Sequence, residues 1–193
     1  DLEAIAEKVK EMGAVLWSLF FLVPTGRGME KDMISAQQHE EVMKWLCQVQ
    51  QRMPYGVKAT EAPHYRRVFL QESRRAATQP GQASMKRADM LGRAHKGVND
   101  GDGFVFISHI GDVYPSGFLP VKCGNVREQL LTDIYRNSPI MKELRDKSLL
   151  KGKCGMCEFK HVCGGSRARA YAVTGDYLES DPYCAYVPSG VNV

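Results

Sequence analysis

No stretch of this 193-residue chain stays apolar for long. A membrane-crossing helix needs about 18 or more such residues, so no membrane span is expected. No secretory signal is expected either: residues 1–12 alternate acids, bases and apolar side chains and lack the basic-then-apolar pattern of a leader. With no such signal, the six cysteines are expected to be reduced or metal-bound and not paired as disulfides, in a cytoplasmic setting. Neither sign of charge dominates. The net +4 suits an anionic ligand or substrate and alone is weak evidence for nucleic acid. Aromatic and basic residues are not interleaved, so a base-stacking platform is not favoured, and no repeat of solenoid period appears. The apolar and charged fractions, 44% and 25%, are ordinary for a globular protein. The length allows one domain or two small ones around a real core.

What the chain does have is a crowd of thiols near its end, spaced Cys154-x2-Cys157-x5-Cys163-x20-Cys184. A C-x-x-C loop bends tightly enough for both sulfurs to face one metal. A third thiol on the same turn and a fourth returning from downstream can close a four-cysteine shell. Iron clusters and zinc both accept that donor set. Gly155, Gly164 and Gly165 let backbone approach closely, and Lys151, Lys153, Lys160 and His161 help hold thiolate charge. A redox pair is a weaker reading, because this C-x-x-C does not open a helix after a strand. Cys47 and Cys123 are solitary, and Cys47 reads as a small buried residue.

The order of elements is an α/β pattern followed by a smaller α+β region. Leu2, Ile5, Val9 and Met12 predict a helix over 1–12, closed by Gly13. The almost wholly apolar run 14–23 predicts a strand buried on both faces of a parallel sheet. Ser35 and Gln38 form a capping-box signature before a helix with Val42, Leu46, Val49 and Met53 on one face. Residues 55–60 predict a second strand. From Arg66 to Lys96 the chain turns basic, with a Pro80-Gly81 break and no sustained period, and 76–99 reads as a mobile insertion. A hairpin is expected from 103–107 and 113–118 around Gly111-Asp112. Asn125 and Glu128 suggest a helix start, Ser138-Pro139 suggests another, and 167–173 suggests a third.

The run Cys154-x2-Cys157-x5-Cys163-Gly-Gly-Ser-Arg-Ala-Arg-Ala-Tyr-Ala, with Thr174-Gly-Asp176 and Asp181-Pro-Tyr-Cys184, resembles the C-terminal auxiliary-cluster domain of radical SAM enzymes, called SPASM, or twitch in its one-cluster form. Gly111-Asp-Val-Tyr-Pro-Ser116 and Gly124-Asn125-Val-Arg-Glu128 match the hairpin and helix entry of that domain, so the resemblance covers roughly residues 101–188. Two-cluster members usually carry cysteine at Ser116 and at or near Ser166 or Arg167. The resemblance therefore implies one auxiliary [4Fe-4S] cluster, on Cys154, Cys157, Cys163 and Cys184.

It also implies that residues 1–70 are the end of a partial (β/α) barrel, 71–100 a basic linker or insertion, and 101–193 the SPASM/twitch domain. The loops 25–28 and 61–64 would then lie on the reactive face of the barrel, where Arg27, Glu61 and His64 are candidates to contact S-adenosylmethionine or substrate. The C-x-x-x-C-x-x-C motif that binds the catalytic cluster in this family does not occur in these residues. The chain is thus expected to be the C-terminal part of a radical SAM maturase or oxidoreductase, inactive alone, with catalytic residues unassigned. Its expected partners are the N-terminal half of the same enzyme and a peptide or small-molecule substrate. Substrates across the family include ribosomal peptides, sulfatases and modified tetrapyrroles, and the Cys-Gly-Gly-x-Arg-Ala-Arg-Ala run is most like the modified-haem branch. The alternative is a structural four-cysteine zinc module that binds protein or nucleic acid.

Overall fold

A computed structural model describes residues 1–78 and 98–189. Most of the expected insertion therefore lies outside the described residues. The first part alternates helix and strand: α1 (Leu2–Glu11), β1 (Leu16–Phe20), α2 (Ala36–Arg52), β2 (Gly56–Thr60) and α3 (His64–Thr78). The strands β1 and β2 pair in parallel from Leu16↔Gly56 to Phe20↔Thr60, with α2 in the crossover. Their C-terminal ends consequently share one edge, and the loops after Phe20 and Thr60 sit side by side, joined by the Phe21 amide donating to the Thr60 carbonyl at 3.0 Å.

The capping box at Ser35 and Gln38 forms as expected, and α2 buries Met43, Leu46, Cys47 and Val49 against Val57, Tyr65, Val68 and Phe69. Burial pushes the Cys47 thiol up to about 12, which fits a packing role. Tyr55 donates its hydroxyl to the Ala6 carbonyl at 2.9 Å and so pins α1 to the sheet. Two expectations need correction here. In α1 the buried residue is Ala6, while Ile5 and Met12 of the expected stripe are exposed. And β1 is not buried on both faces: Phe20 is 63% exposed, because among the described residues the sheet has only two strands and helices cover one side.

The helix α3 has no counterpart in the sequence reading, and it crosses the expected boundary at 70/71. Its buried side includes His64 and Arg67 beside Tyr65, Val68 and Phe69, so charged residues occupy inward positions and hide the apolar period. Arg67 is held there by the Glu40 carboxylate of α2.

The second part has a three-stranded antiparallel sheet of β3 (Phe106–Ile107), β4 (Asp112–Tyr114) and β5 (Gly124–Asn125). The helices α4 (Leu131–Asn137), α5 (Pro139–Arg145), α6 (Gly152–Met156) and α7 (Arg167–Thr174) follow. The hairpin and the Ser138-Pro139 start match expectation. Asn125 does not start a helix: it ends β5, donates to Asp112 Oδ1 at 2.8 Å and accepts from the Arg127 amide at 2.8 Å. That turn delays α4 to Leu131. Val23 from the loop after β1 packs with Leu119, Leu144 and Ala168, which ties the two parts through one apolar cluster. Among the described residues no helix is long and apolar enough to cross a membrane.

Leu46 is wholly buried and Leu130 is 71% exposed. Truncating Leu46 to Ala should cost about 2–5 kcal/mol of unfolding free energy, through lost transfer and a cavity. Leu130→Ala should stay within about 0.5 kcal/mol. Urea denaturation of the two variants checks the ordering.

Candidate metal centre

The four clustered cysteines reach one place from three short segments. Cys154 lies in α6 and Cys157 caps its end. Cys163 follows a tight turn in which its amide donates to the Phe159 carbonyl at 2.8 Å, and Cys184 follows a turn closed by its amide on the Asp181 carbonyl at 3.2 Å. All four are free thiols. They line a single cavity with His64, Arg67, Lys153, Lys160, Gly164 and Gly165 among its walls, and about 340 Å³ between them, counting the open mouth, holds no atoms.

Two consecutive glycines make the approach possible. Gly164 and Gly165 both have left-handed backbones, φ 69° and 66°, which a side chain disfavours. A Cβ on Gly165 would meet Arg167 Nη2 at 2.5 Å and Cys154 Sγ at 3.2 Å. The turn brings the Gly165 amide to Cys163 Sγ at 3.4 Å. Asn99 then holds it by donating to the Gly165 carbonyl at 2.9 Å.

The walls are cationic. Lys160 donates to the Gly155 carbonyl at 3.0 Å, Lys153 donates to the Cys184 carbonyl, and Arg66 donates to the Val162 carbonyl at 3.1 Å. Arg167, wholly buried, donates to the Tyr177 and Glu179 carbonyls at 2.9 and 2.7 Å and turns Nη2 toward Cys154 Sγ at 3.7 Å. Burial raises the thiols of Cys154 and Cys157 above their ordinary values and pushes Cys163 up to about 12. Cys184 goes the other way: burial opposes its ionisation, but His64 beside it and the Arg67 charge hold it below the usual thiol range.

Behind the cysteines sits a buried ion network. Asp181 Oδ2 accepts from Arg169 Nη1 at 3.0 Å and from the Ser166 amide at 2.9 Å. His64 Nε2 lies 3.1 Å from the same oxygen. Burial alone would lower the His64 imidazole, but the Asp181 carboxylate holds it up at about 9; Asp181, despite its burial, is kept well below the usual carboxylate range by His64 and Arg169. Arg169 also donates to the Leu22 and Glu61 carbonyls, at 3.2 and 2.7 Å. The ends of β1 and β2 are thereby fastened to α7.

Residues 100–158 match the SPASM family, an iron-sulfur cluster-binding domain. The chain carries a SPASM domain. It is similar to the AdoMet-dependent heme synthase of Methanosarcina barkeri, 46% identical over 94% of this chain and 51% of the relative. It is also similar to the enzyme of that name from Nitratidesulfovibrio vulgaris, 40% identical over 97% of this chain and 50% of the relative. The pre-heme d1 synthase of Dinoroseobacter shibae is 36% identical over 46% of this chain and 23% of its own length. The SPASM-bearing chain is thus a relative of radical SAM enzymes, and it spans about half the length of these first two. The match to the SPASM family includes Cys154 and Cys157 and stops short of Cys163 and Cys184.

The donor set fits an iron-sulfur cluster. Thiolates ligate iron clusters and zinc alike, and among the described residues no three His, Cys, Asp or Glu side chains are arranged around a single ion. At the position where two-cluster members carry cysteine, Ser116 is buried, its hydroxyl accepting from the Phe118 and Leu119 amides at 3.2 and 3.1 Å.

Of the other expected site residues, Arg27 stays exposed on its loop. Glu61 and His64 are turned toward the cysteine-bearing part of the molecule: Ser166 donates to Glu61 Oε2 at 3.1 Å, and His64 is buried, at 1% exposure. Sequence reasoning missed Arg167, Arg169, Asp181 and Asp100, which accepts from the Ala168 amide at 3.0 Å. A signal was available: alternating Arg and Ala after a glycine pair leaves room only for small neighbours around the arginines.

Glu61 supplies a test of this packing. Burial, and next the Asp100 charge, push its carboxyl up to about 7 from 4.5. The folded chain then holds an extra proton between those values, so this group's contribution to stability falls as pH rises across that window. Glu61→Gln cannot titrate. The unfolding free energy of the variant minus that of the wild type should rise from about pH 4.5 to about 7 and level off above. A difference that is flat with pH would contradict the buried placement.

Proposed function

We propose that this chain is the SPASM-bearing portion of a radical SAM enzyme that modifies a tetrapyrrole, with Cys154, Cys157, Cys163 and Cys184 holding one [4Fe-4S] cluster. The observation that carries this is the meeting of four free thiols around one cavity, in a chain 46% identical over nearly its whole length to an AdoMet-dependent heme synthase.

A [4Fe-4S] cluster bound there supplies one-electron transfer. The residues around it do the rest. Four thiolates fill the ligand positions and leave none for substrate. Lys153 and Lys160 line the cavity beside Arg67, itself paired with Glu40, and these cations favour the thiolate forms and offset part of their charge. His64 and Arg67 favour ionisation of Cys184 in particular.

In this reading residues 1–70 are the end of a partial (β/α) barrel, 71–100 a linker or insertion beginning within α3, and 101–193 the SPASM domain. The alternation α1-β1-α2-β2-α3 with parallel strands supports the first part. Arg27 lies in the loop beyond β1, on the edge where (β/α) proteins place ligands, free to meet a carboxylate of substrate or S-adenosylmethionine. Glu61 and His64 brace the cysteine segment from the same edge. Cleavage of S-adenosylmethionine falls to the C-x-x-x-C-x-x-C cluster of the rest of the enzyme, this chain's partner, and reduced thiols suit a cytoplasmic setting.

Anaerobic reconstitution of the chain with iron and sulfide tests the ligand set. The product should be brown, absorb broadly near about 400 nm and carry about four irons per chain. Replacing any one of Cys154, Cys157, Cys163 or Cys184 by Ser should lower the iron content by about half or more, whereas Cys123→Ser should leave it unchanged. Colourless protein with one zinc, or equal loss in Cys123→Ser, would contradict the assignment.

A further inference from the structure

The tail beyond Cys184 does more than end the described chain. Tyr186 and Pro188 form part of the wall of the cysteine cavity. Tyr186, with Ala185 and Val187, also lines a surface groove bounded by Gln37, Lys44 and Arg75. The Tyr186 ring therefore stands between the thiols and an open groove.

It is held there by side chains. The Tyr186 hydroxyl donates to Glu158 Oε1, and Ser189 donates to the same oxygen at 3.3 Å. Phe159 meets the ring edge-on, 5.6 Å between centroids at 76°. Arg67 lies over its face, 4.6 Å from the centroid. Glu158 and Phe159 directly follow Cys157, so the tail is fastened to the thiol loop itself. Neither a helix nor a strand includes 185–189, and a segment held mainly by side chains opens at lower cost than one in a ladder.

We propose that 185–189 is a strap across the cysteine cavity and that the Tyr186 ring governs the access of small molecules, oxidants and chelators, to the thiols and to the cluster they hold. The part concerning the cluster rests on the function proposed above; the part concerning the thiols does not.

Two measurements on the full chain keep these apart. In the cluster-free, reduced protein, alkylation by a maleimide is followed cysteine by cysteine by mass spectrometry, with Cys123, half-buried away from the cavity, as internal reference. Tyr186→Ala should speed reaction at Cys154, Cys157, Cys163 and Cys184 several-fold and leave Cys123 unchanged. Tyr186→Phe keeps the ring and its contacts with Phe159 and Arg67, and should retain most of the protection. In reconstituted protein of equal starting iron content, loss of the absorbance near about 400 nm in air or with a chelator should be several-fold faster for Tyr186→Ala. Wild-type alkylation rates in Tyr186→Ala, an equal acceleration at Cys123, or a Phe variant as fast as the Ala variant would each overturn the strap. Faster alkylation with unchanged bleaching would overturn only the cluster's dependence on it.

Discussion

One buried carboxylate organises this molecule. Asp181 is wholly removed from solvent, where an unpaired charge would cost several kcal/mol. It is kept ionised by Arg169, His64 and the amides of Ser166 and Tyr183, at 3.0, 3.1, 2.9 and 3.0 Å. Each partner belongs to a different demand. His64 begins α3, Ser166 caps α7 and follows the glycine turn of Cys163, and Arg169 reaches on to the carbonyls at the ends of β1 and β2. Asp181 also accepts the Cys184 amide on its carbonyl, so the residue at the centre of this network sits on the turn that leads to the fourth thiol. The strand edge and the cysteine set thus adjoin the same ion pair.

Electrostatics divides the region into two layers. Around the sulfurs the walls are cationic: Lys153 and Lys160 donate to the Cys184 and Gly155 carbonyls, on the segments that carry the cysteines, while Arg67 is paired with the Glu40 carboxylate. The lysine heads so fixed favour thiolates. One layer further back lie Glu61, Asp100 and Asp181, balanced by Arg169 and His64.

Much of this was legible in the residues. The thiol spacing and its glycines announced that four cysteines meet around one cavity, and the capping box, the parallel strand pair and the Ser138-Pro139 helix start followed from local chemistry. What stayed hidden was hidden for a shared reason: polar residues in inward positions. Arg67 and His64 on the buried side of α3 broke the apolar period that marks a helix, and Asn125, a good helix cap by type, is committed to Asp112 by a tertiary contact. The exposed Phe20 shows the converse, an apolar run that overstated burial because sheet neighbours, not composition, decide how many faces are covered. The sequence placed Glu61 and His64 at the strand ends as candidates to contact S-adenosylmethionine or substrate; their contacts with Ser166 and Asp181 depend on residues more than a hundred positions away.

The most direct test of the account is a double-mutant cycle on the central pair, Arg169→Met, Asp181→Leu and both together, followed by urea unfolding of the full chain. The structure predicts that the double variant is more stable than the sum of the single losses implies, by a coupling of about 1–3 kcal/mol, because each single change leaves a buried charge without its partner. Losses that add within about 0.5 kcal/mol would mean that the two charges do not depend on each other and that this pair is not the centre of the buried network.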